Sequence, residues 1–154
     1  MRLAIGDNVV YGAHGAGSIT AREMRSVHGE EQEVIVLALA GGLSVELPLA
    51  RAEEVVRPVA DAEEIVRLGV VLRSGAELDQ DPWLKRQRGA RAKLGTAVGL
   101  AEIVSEGAQR GSLSPSEVDL VRRAKLLLAA EIALSRGEDA DTASAWIDEQ
   151  LACR

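Results

Sequence analysis

The sequence predicts two modules: a small antiparallel β-barrel over residues 1–58 and an all-α domain over residues 59–154. Short apolar segments separated by glycine-containing turns occupy the first part, as in small barrels. Capping residues followed by apolar residues at helical spacing occupy the second part. The prolines also lie at the boundaries between patterned segments, at Pro48, Pro58, Pro82 and Pro115.

The first module is predicted to contain strands and turns throughout. Residues 12–17 contain three glycines, which suit a turn because glycine readily adopts positive φ. The following segment alternates in polarity, so that Ile19, Ala21, Glu23 and Arg25 are expected on one face. The predicted strands cover residues 9–11, 18–25, 33–39, 43–47 and 55–57.

The second module contains helix start and stop signals. Asp61 and Glu64 have capping-box spacing, and Ser114-Pro115 with Glu117 gives a stronger helix start. Glycine suits a helix end, where the backbone often turns left-handed. The predicted helices begin at Asp61, Asp81, Thr96, Ser114 and at Asp141 or Thr142, and two of them end near Gly95 and at Gly137.

Composition limits the possible classes of protein. The 154 residues carry a net charge of −6, which argues against coating nucleic acid by bulk charge. The single cysteine, Cys153, allows neither an internal disulfide nor a cysteine metal cluster. No apolar run approaches the roughly 20 residues that span a bilayer, and the N-terminus does not resemble a signal peptide. A cytoplasmic protein is therefore expected.

One stretch, residues 81–93, departs from the acidic composition. Asp81 and Pro82 open it as a helix start, and Trp83 follows. An aromatic ring beside several cations suits contact with a phosphate backbone and with bases. The alternative is a solvated helix face with Trp83 turned into the core. The cations are Lys85, Arg86, Arg88, Arg91 and Lys93, and no anion follows the cap.

Catalytic patterns are weak. The two histidines lie in predicted turns, and Cys153 has no evident base partner. The glycines of residues 12–17 precede a predicted strand, whereas a dinucleotide-binding loop precedes a helix. Adjacent carboxylates such as Glu63 and Glu64 do not face each other on a helix. We therefore expect no catalytic residue, no metal site and no cofactor.

One pattern in the first module is specific: Gly-Asp-x-Val-Val-Tyr over residues 6–11, followed by His14-Gly15. It resembles the N-terminus of the CarD/CdnL family of bacterial transcription regulators. The same module occurs in the polymerase-interacting domain of the transcription-repair coupling factor. The resemblance also includes Trp83 with its basic run, and it covers nearly the whole chain. The other matching segments are residues 33–39, 43–48, 101–104 and 131–134.

This resemblance implies that a Tudor-like barrel docks on the β subunit of RNA polymerase. A strand of the barrel would pair with a strand of the β subunit, so that one sheet is extended. Arg25 with its neighbour Val27 matches a polymerase-contact position of the family. A second, usually basic, contact position falls near Glu46, so its charge is reversed here. Gly12 also stands where proline is common in the family.

The resemblance also implies that the helical domain contacts promoter DNA at the upstream edge of the melted bubble, without sequence specificity. Trp83 matches a tryptophan that wedges into the minor groove and hinders reannealing. The implied phosphate-contacting residues are Lys85, Arg86 and Arg88, together with Arg122, Arg123 and Lys125 from the next basic cluster.

The sequence therefore predicts a monomeric transcription regulator that stabilises the open complex and is not an enzyme. A protein–protein adaptor is the principal alternative. It would bind RNA polymerase or another partner without direct DNA contact and would bury Trp83. A small enzyme is a third possibility, which lacks a convergent site in the sequence.

Overall fold

The chain divides between Val59 and Ala60 into two units, the β unit (Met1–Val59) and the helical unit (Ala60–Arg154). The computed structural model describes residues 3–74, 89 and 92–153. The predicted combination of an antiparallel β module followed by an all-α module is confirmed.

One antiparallel sheet forms the β unit, with the strand order β4-β3-β2-β1-β5. Its apolar face packs Val9, Ile19, Ile35 and Leu37 into a core that excludes water. A single turn of 3₁₀ helix, Gly12–His14, joins the first two strands. The strands are β1 (Asn8–Tyr11), β2 (Ala16–Val27), β3 (Glu30–Leu39), β4 (Ser44–Pro48) and β5 (Val56–Pro58).

A short helix, α1 (Leu49–Val55), lies between β4 and β5. The prediction that residues 1–58 contain only strands and turns is wrong here. Residues 49–54 are rich in alanine, glutamate and arginine, which favour helix over strand. Ala52 on this helix is buried in the core of the sheet, so that packing adds to the local preference.

A β-bulge in β2 changes which face of the sheet the later side chains of this strand point to. The pairing with β3 shifts between Ile19 and Ala21, which leaves Thr20 as an extra residue. Ile19 therefore faces the core together with Arg22, which lies opposite the buried Ile35. The predicted single face for Ile19 and Arg25 is wrong because an inserted residue reverses the alternation beyond it.

The β2–β3 hairpin turns at His28 and Gly29. Both residues have positive φ, 53° and 82°, as the two central residues of a type I′ turn require. This turn matches the right-handed twist of its strands, and the ladder accordingly runs unbroken from Ala21 to Val27. The hairpin is thus long and regular beyond the bulge.

Four described helices follow in the helical unit. Their buried faces contribute Ile65, Leu68, Leu100, Leu128 and Ile147 to the interior. The helix predicted to begin at Asp81 lies outside the described residues over most of its length. Within the described ranges, no helix is long and apolar enough to cross a membrane. The helices are α2 (Ala62–Arg73), α3 (Ala97–Gln109), α4 (Pro115–Arg136) and α5 (Ala140–Ala152).

The helix starts follow the capping signals of the sequence. Asp61 accepts the Glu64 N–H at 2.8 Å. Ser114 and Glu117 form a complete capping box, with Pro115 in the first turn. Gly137 ends α4 in the left-handed conformation, with φ 67°. Helix α5 begins slightly earlier than predicted because Asp139 is its cap.

Buried Glu131 of α4 holds the beginning of the helical unit. Its carboxylate accepts the backbone N–H of Ala60 at 2.8 Å. The Ser135 hydroxyl, one turn later on α4, donates to the carbonyl oxygen of Ala60. Both backbone groups of Ala60 are thereby satisfied by side chains in a buried position, where unpaired polar groups are costly.

The cap of α5 makes stability depend on pH. Hydrogen bonds from the Thr142 N–H, at 2.7 Å, and then from its side chain lower the pKa of Asp139. Because the folded-state pKa is below the unfolded one, the ionised cap stabilises the fold above the unfolded pKa of about 4. That contribution is lost as the pH falls through the folded-state pKa.

We therefore expect that, below about pH 4, the melting temperature of the native chain decreases more than that of Asp139→Asn. The asparagine side chain caps a helix but does not titrate. Thermal melts of both proteins from about pH 7 to pH 3 check this difference. Parallel curves over that range would show that the Asp139 carboxylate is not the titrating cap.

Candidate interaction surface

One side of β2 has no strand partner along its second half among the residues that the structure describes. Strand β1 pairs with β2 only from Ala16 to Ser18, and Ile19 is bonded to the segment before β1. Beyond the bulge, β2 pairs with β3 on one side alone among the described residues. An antiparallel strand with one unpaired side presents backbone donors and acceptors to another chain.

The alternation of the ladder identifies which backbone groups point outward. Leu39 donates its N–H to Leu43 at 2.7 Å, so the odd-numbered residues of β3 point towards β4 and the even-numbered ones towards β2. Gln32 and Val34, which lie opposite Arg25 and Glu23, therefore form the hydrogen-bonded pairs with β2. The N–H and C=O groups of the intervening Met24 and Ser26 point away from β3. We call Met24 to Ser26 the β2 edge.

Three charged side chains lie together on the face of the sheet opposite the core. Arg25 donates from Nε and Nη2 to Oε2 of Glu23, at 3.0 and 2.5 Å. Its Nη1 donates to Oε2 of Glu46 on β4. Both hydrogen bonds raise the pKa of the Arg25 guanidinium, that to Glu23 more than that to Glu46. We call Glu23, Arg25 and Glu46 the charged trio.

Apolar side chains adjoin the trio on the same face. Val34 lies opposite Glu23 and is only 5% exposed. Val36, opposite Glu46, is half-buried. Met24, by contrast, projects from the other face at the β2 edge and is 64% exposed. The β2 edge thus combines unpaired backbone groups with a charged and partly apolar surface.

The structure brings together two of the three residues predicted to bind polymerase. Arg25 and Glu46 form a direct ion pair, although they come from strands separated by β3. Val27 ends β2 opposite Glu30, and its side chain lies outside the described part of the chain. Sequence reasoning missed Glu23 as the second partner of Arg25, which the alternation of β2 could have indicated because both residues share a face.

The second basic cluster lies on α4, where Lys125 and Arg122 have acidic neighbours. Lys125 contacts Asp148 of α5 at 2.5 Å. Arg122 lies 3.8 Å from Asp119 on its own helix, where both side chains are exposed. Arg123 is also exposed. The ion pairs reduce the positive charge that this surface presents to a polyanion.

The basic stretch itself is mostly outside the described residues, which exclude Trp83, Lys85, Arg86 and Arg88. Its last residue, Lys93, is described and forms an ion pair with Glu102 of α3 at 3.0 Å. Over residues 3–74 and 92–153, no cluster of three or more histidine, cysteine or acidic side chains could hold a metal ion. The candidate binding features of the described residues are therefore the unpaired backbone groups of the β2 edge and the surface ion pairs.

An antiparallel sheet with an unpaired edge can bind a partner by strand addition, and the side chains beside the edge then contribute specificity. Residues 3–60 match the family model described as the CarD-like/TRCF RID domain. The match spans the β unit and supports the resemblance to this family of RNA polymerase-interacting domains that its N-terminal motifs indicated. The match supports an RNA polymerase partner for this protein, and the matched domain family is one of interaction modules.

Proposed function

We propose that this protein is a transcription regulator that docks on the β subunit of RNA polymerase and stabilises the open promoter complex. In this proposal the β unit is the docking domain and the helical unit contacts DNA. The single observation that carries the proposal is the match of residues 3–60 to the RNA polymerase-interacting domain family. The unpaired β2 edge supports docking by strand addition.

Docking would add a strand of the β subunit beside Met24 and Ser26. Their outward N–H and C=O groups supply hydrogen bonds that depend little on the sequence of the partner. Side chains beside that edge then determine which strand is accepted. Arg25, Val27 and Glu46 are proposed to belong to the polymerase-binding surface.

Contact with DNA would depend on the tether to polymerase. A chain with a net charge of −6 does not hold DNA by long-range attraction. Once the β unit is docked, the helical unit meets promoter DNA at a high effective concentration. Lys85, Arg86 and Arg88 are proposed to contact phosphates at the upstream edge of the bubble, with additional contacts from Arg122, Arg123 and Lys125.

Trp83 is proposed to wedge into the minor groove at that edge. Such wedges exchange a few kcal/mol of unstacking for a distorted duplex that accepts more protein contacts. In a bubble that is already open, the wedge opposes reannealing. A contribution of about 1.4 kcal/mol would change the ratio of open to closed complexes about tenfold.

Trp83→Ala is therefore expected to shorten the lifetime of open complexes by about tenfold while polymerase affinity stays unchanged. The lifetime is measured by challenging preformed complexes with a competitor and following the decay of transcription-competent complexes. Trp146→Phe is the matched control because the indole of Trp146 contacts Arg136, 4.6 Å from its ring centre, within the helical unit. Equal lifetimes for Trp83→Ala and the native chain would remove the wedge from the proposal.

A protein–protein adaptor without DNA contact is the second candidate. The ion pairs of Arg122 and Lys125 favour it, because those cations already have acidic neighbours. The Trp146→Phe chain distinguishes the candidates, since Trp83 is then its only tryptophan. A DNA wedge requires an accessible indole that acrylamide quenches readily, whereas the adaptor requires a buried indole that resists quenching.

A further inference from the structure

The charges on the strands beside the β2 edge indicate the chemistry of the partner that docks there. Strands β2, β3 and β4 carry two arginines and five glutamates. Arg22 is neutralised by Glu33, 2.6 Å away. The remaining arginine, Arg25, is shared between Glu23 and Glu46 in the charged trio. The trio, on the face opposite the core, therefore has two carboxylates for one guanidinium and is negative on balance.

The geometry of Arg25 limits what it can offer to a partner. A guanidinium group has five N–H donors in a fixed plane. Arg25 already donates three hydrogen bonds to the two carboxylates of the trio. An acidic partner would have to displace at least one of these charge-assisted hydrogen bonds, and it would also meet the second carboxylate as a like charge.

The two carboxylates are better placed to contact a partner than Arg25 is. The side chains of Glu23 and Glu46 are 46% and 49% exposed, and that of Arg25 is 39% exposed. Each carboxylate has further acceptor capacity beyond its bond to Arg25. Because Arg25 holds both in place, little side-chain entropy remains to be lost when a cation binds between them.

We propose that the polymerase segment that docks at the β2 edge carries a basic side chain that reaches the two carboxylates of the charged trio, and that Arg25 is a positioning residue for both. This inference rests on the proposed docking function and deepens it. Complementary charge at such a site accelerates association and selects the partner, because like charges placed together are penalised. The expected partner is thus a strand with a lysine or arginine beside its pairing edge.

The test measures binding of the full chain to purified RNA polymerase core enzyme by fluorescence anisotropy. Cys153 provides the labelling site, because it is exposed and is the only cysteine of the sequence. The variants are Glu46→Gln, which removes the charge, and Glu46→Lys, which reverses it. Glu54→Gln is the matched control, since Glu54 is 71% exposed on α1 of the same unit.

We expect Glu46→Gln to raise the dissociation constant about three- to fivefold and Glu46→Lys to raise it by more than about tenfold. The Glu54→Gln control should bind as the native chain does. Affinity of the native chain should also fall as salt rises from about 0.05 to 0.3 M, and less steeply for Glu46→Gln. Circular dichroism melts establish that each variant is folded.

If a folded Glu46→Lys variant bound polymerase as tightly as the native chain or more tightly, the proposal of a basic side chain on the partner would be wrong. The proposed docking itself would stand. Glu23→Gln gives an independent measurement on the other carboxylate, for which we expect weaker binding as well. No binding of the native chain to polymerase would overturn both this inference and the proposed docking function. The two failures are therefore distinguishable.

Discussion

Replacing Gly17 with alanine is expected to destabilise the β unit by about 3 kcal/mol, the upper end of the usual effects of overpacking. Gly17 lies inside the sheet between Val9 of β1 and Leu39 of β3. A Cβ atom added there would lie 2.1 Å from the carbonyl oxygen of Ala38 and 2.7 Å from the Cα of Leu39. Both are backbone atoms, so a rotamer change cannot relieve the clash.

Urea unfolding and amide hydrogen exchange measure this effect. Exchange at core amides such as Ile19 and Leu37 localises the loss to the β unit, which matters because two units need not unfold together. Gly111→Ala is the control, since its added Cβ would meet no atom within 4 Å. Equal stability of the Gly17 and Gly111 variants would mean that the strands separate at little cost.

Met24→Pro is expected to weaken binding to RNA polymerase by at least about thirtyfold, or about 2 kcal/mol. Proline lacks an N–H, and the N–H of Met24 is proposed to bond to the partner strand. The substitution would leave a partner carbonyl unsatisfied in the new interface, which is costlier than losing an exposed bond. Proline is tolerated at strand edges where the N–H faces outward, so the β2–β3 ladder should persist.

Met24→Ala is the matched control because it shortens the same exposed side chain and keeps the N–H. We expect its affinity to stay within about fivefold of the native value. Anisotropy of the chain labelled at Cys153 gives both affinities, and a thermal melt verifies the fold. Similar affinities for the proline and alanine variants would show that polymerase does not pair with the β2 edge.

Most elements of the fold could be predicted from local patterns. The capping box of Ser114 and Glu117 predicted the start of α4, because cap chemistry acts over three residues. The short apolar run before Ala40 predicted β3, because such a run bounded by turn residues is typical of a buried strand. Helix α1 was missed because the β context of its neighbours outweighed its own helix-forming residues. The bulge at Thr20 was also missed, since an inserted residue becomes visible only against its partner strand.

The site could be predicted only in part. Arg25 and Glu46 were identified through the family resemblance, as separate contact positions. Their ion pair could not be predicted, because it depends on strand order and register across β3. The unpaired length of β2 was equally hidden, since it follows from where β1 stops. Trp83 and the basic residues after it remain predictions from the sequence.

By itself the sequence determined the division into a β unit and a helical unit and the positions of most turns and caps. These features depend on side-chain patterns and backbone preferences within a few residues. The tertiary structure alone decided that the backbone groups of Met24 and Ser26 point away from β3, with no strand partner in the described part of the chain, and that Arg25 is held by two carboxylates. Those features arise between strands distant in the chain, where pairing register determines which groups meet.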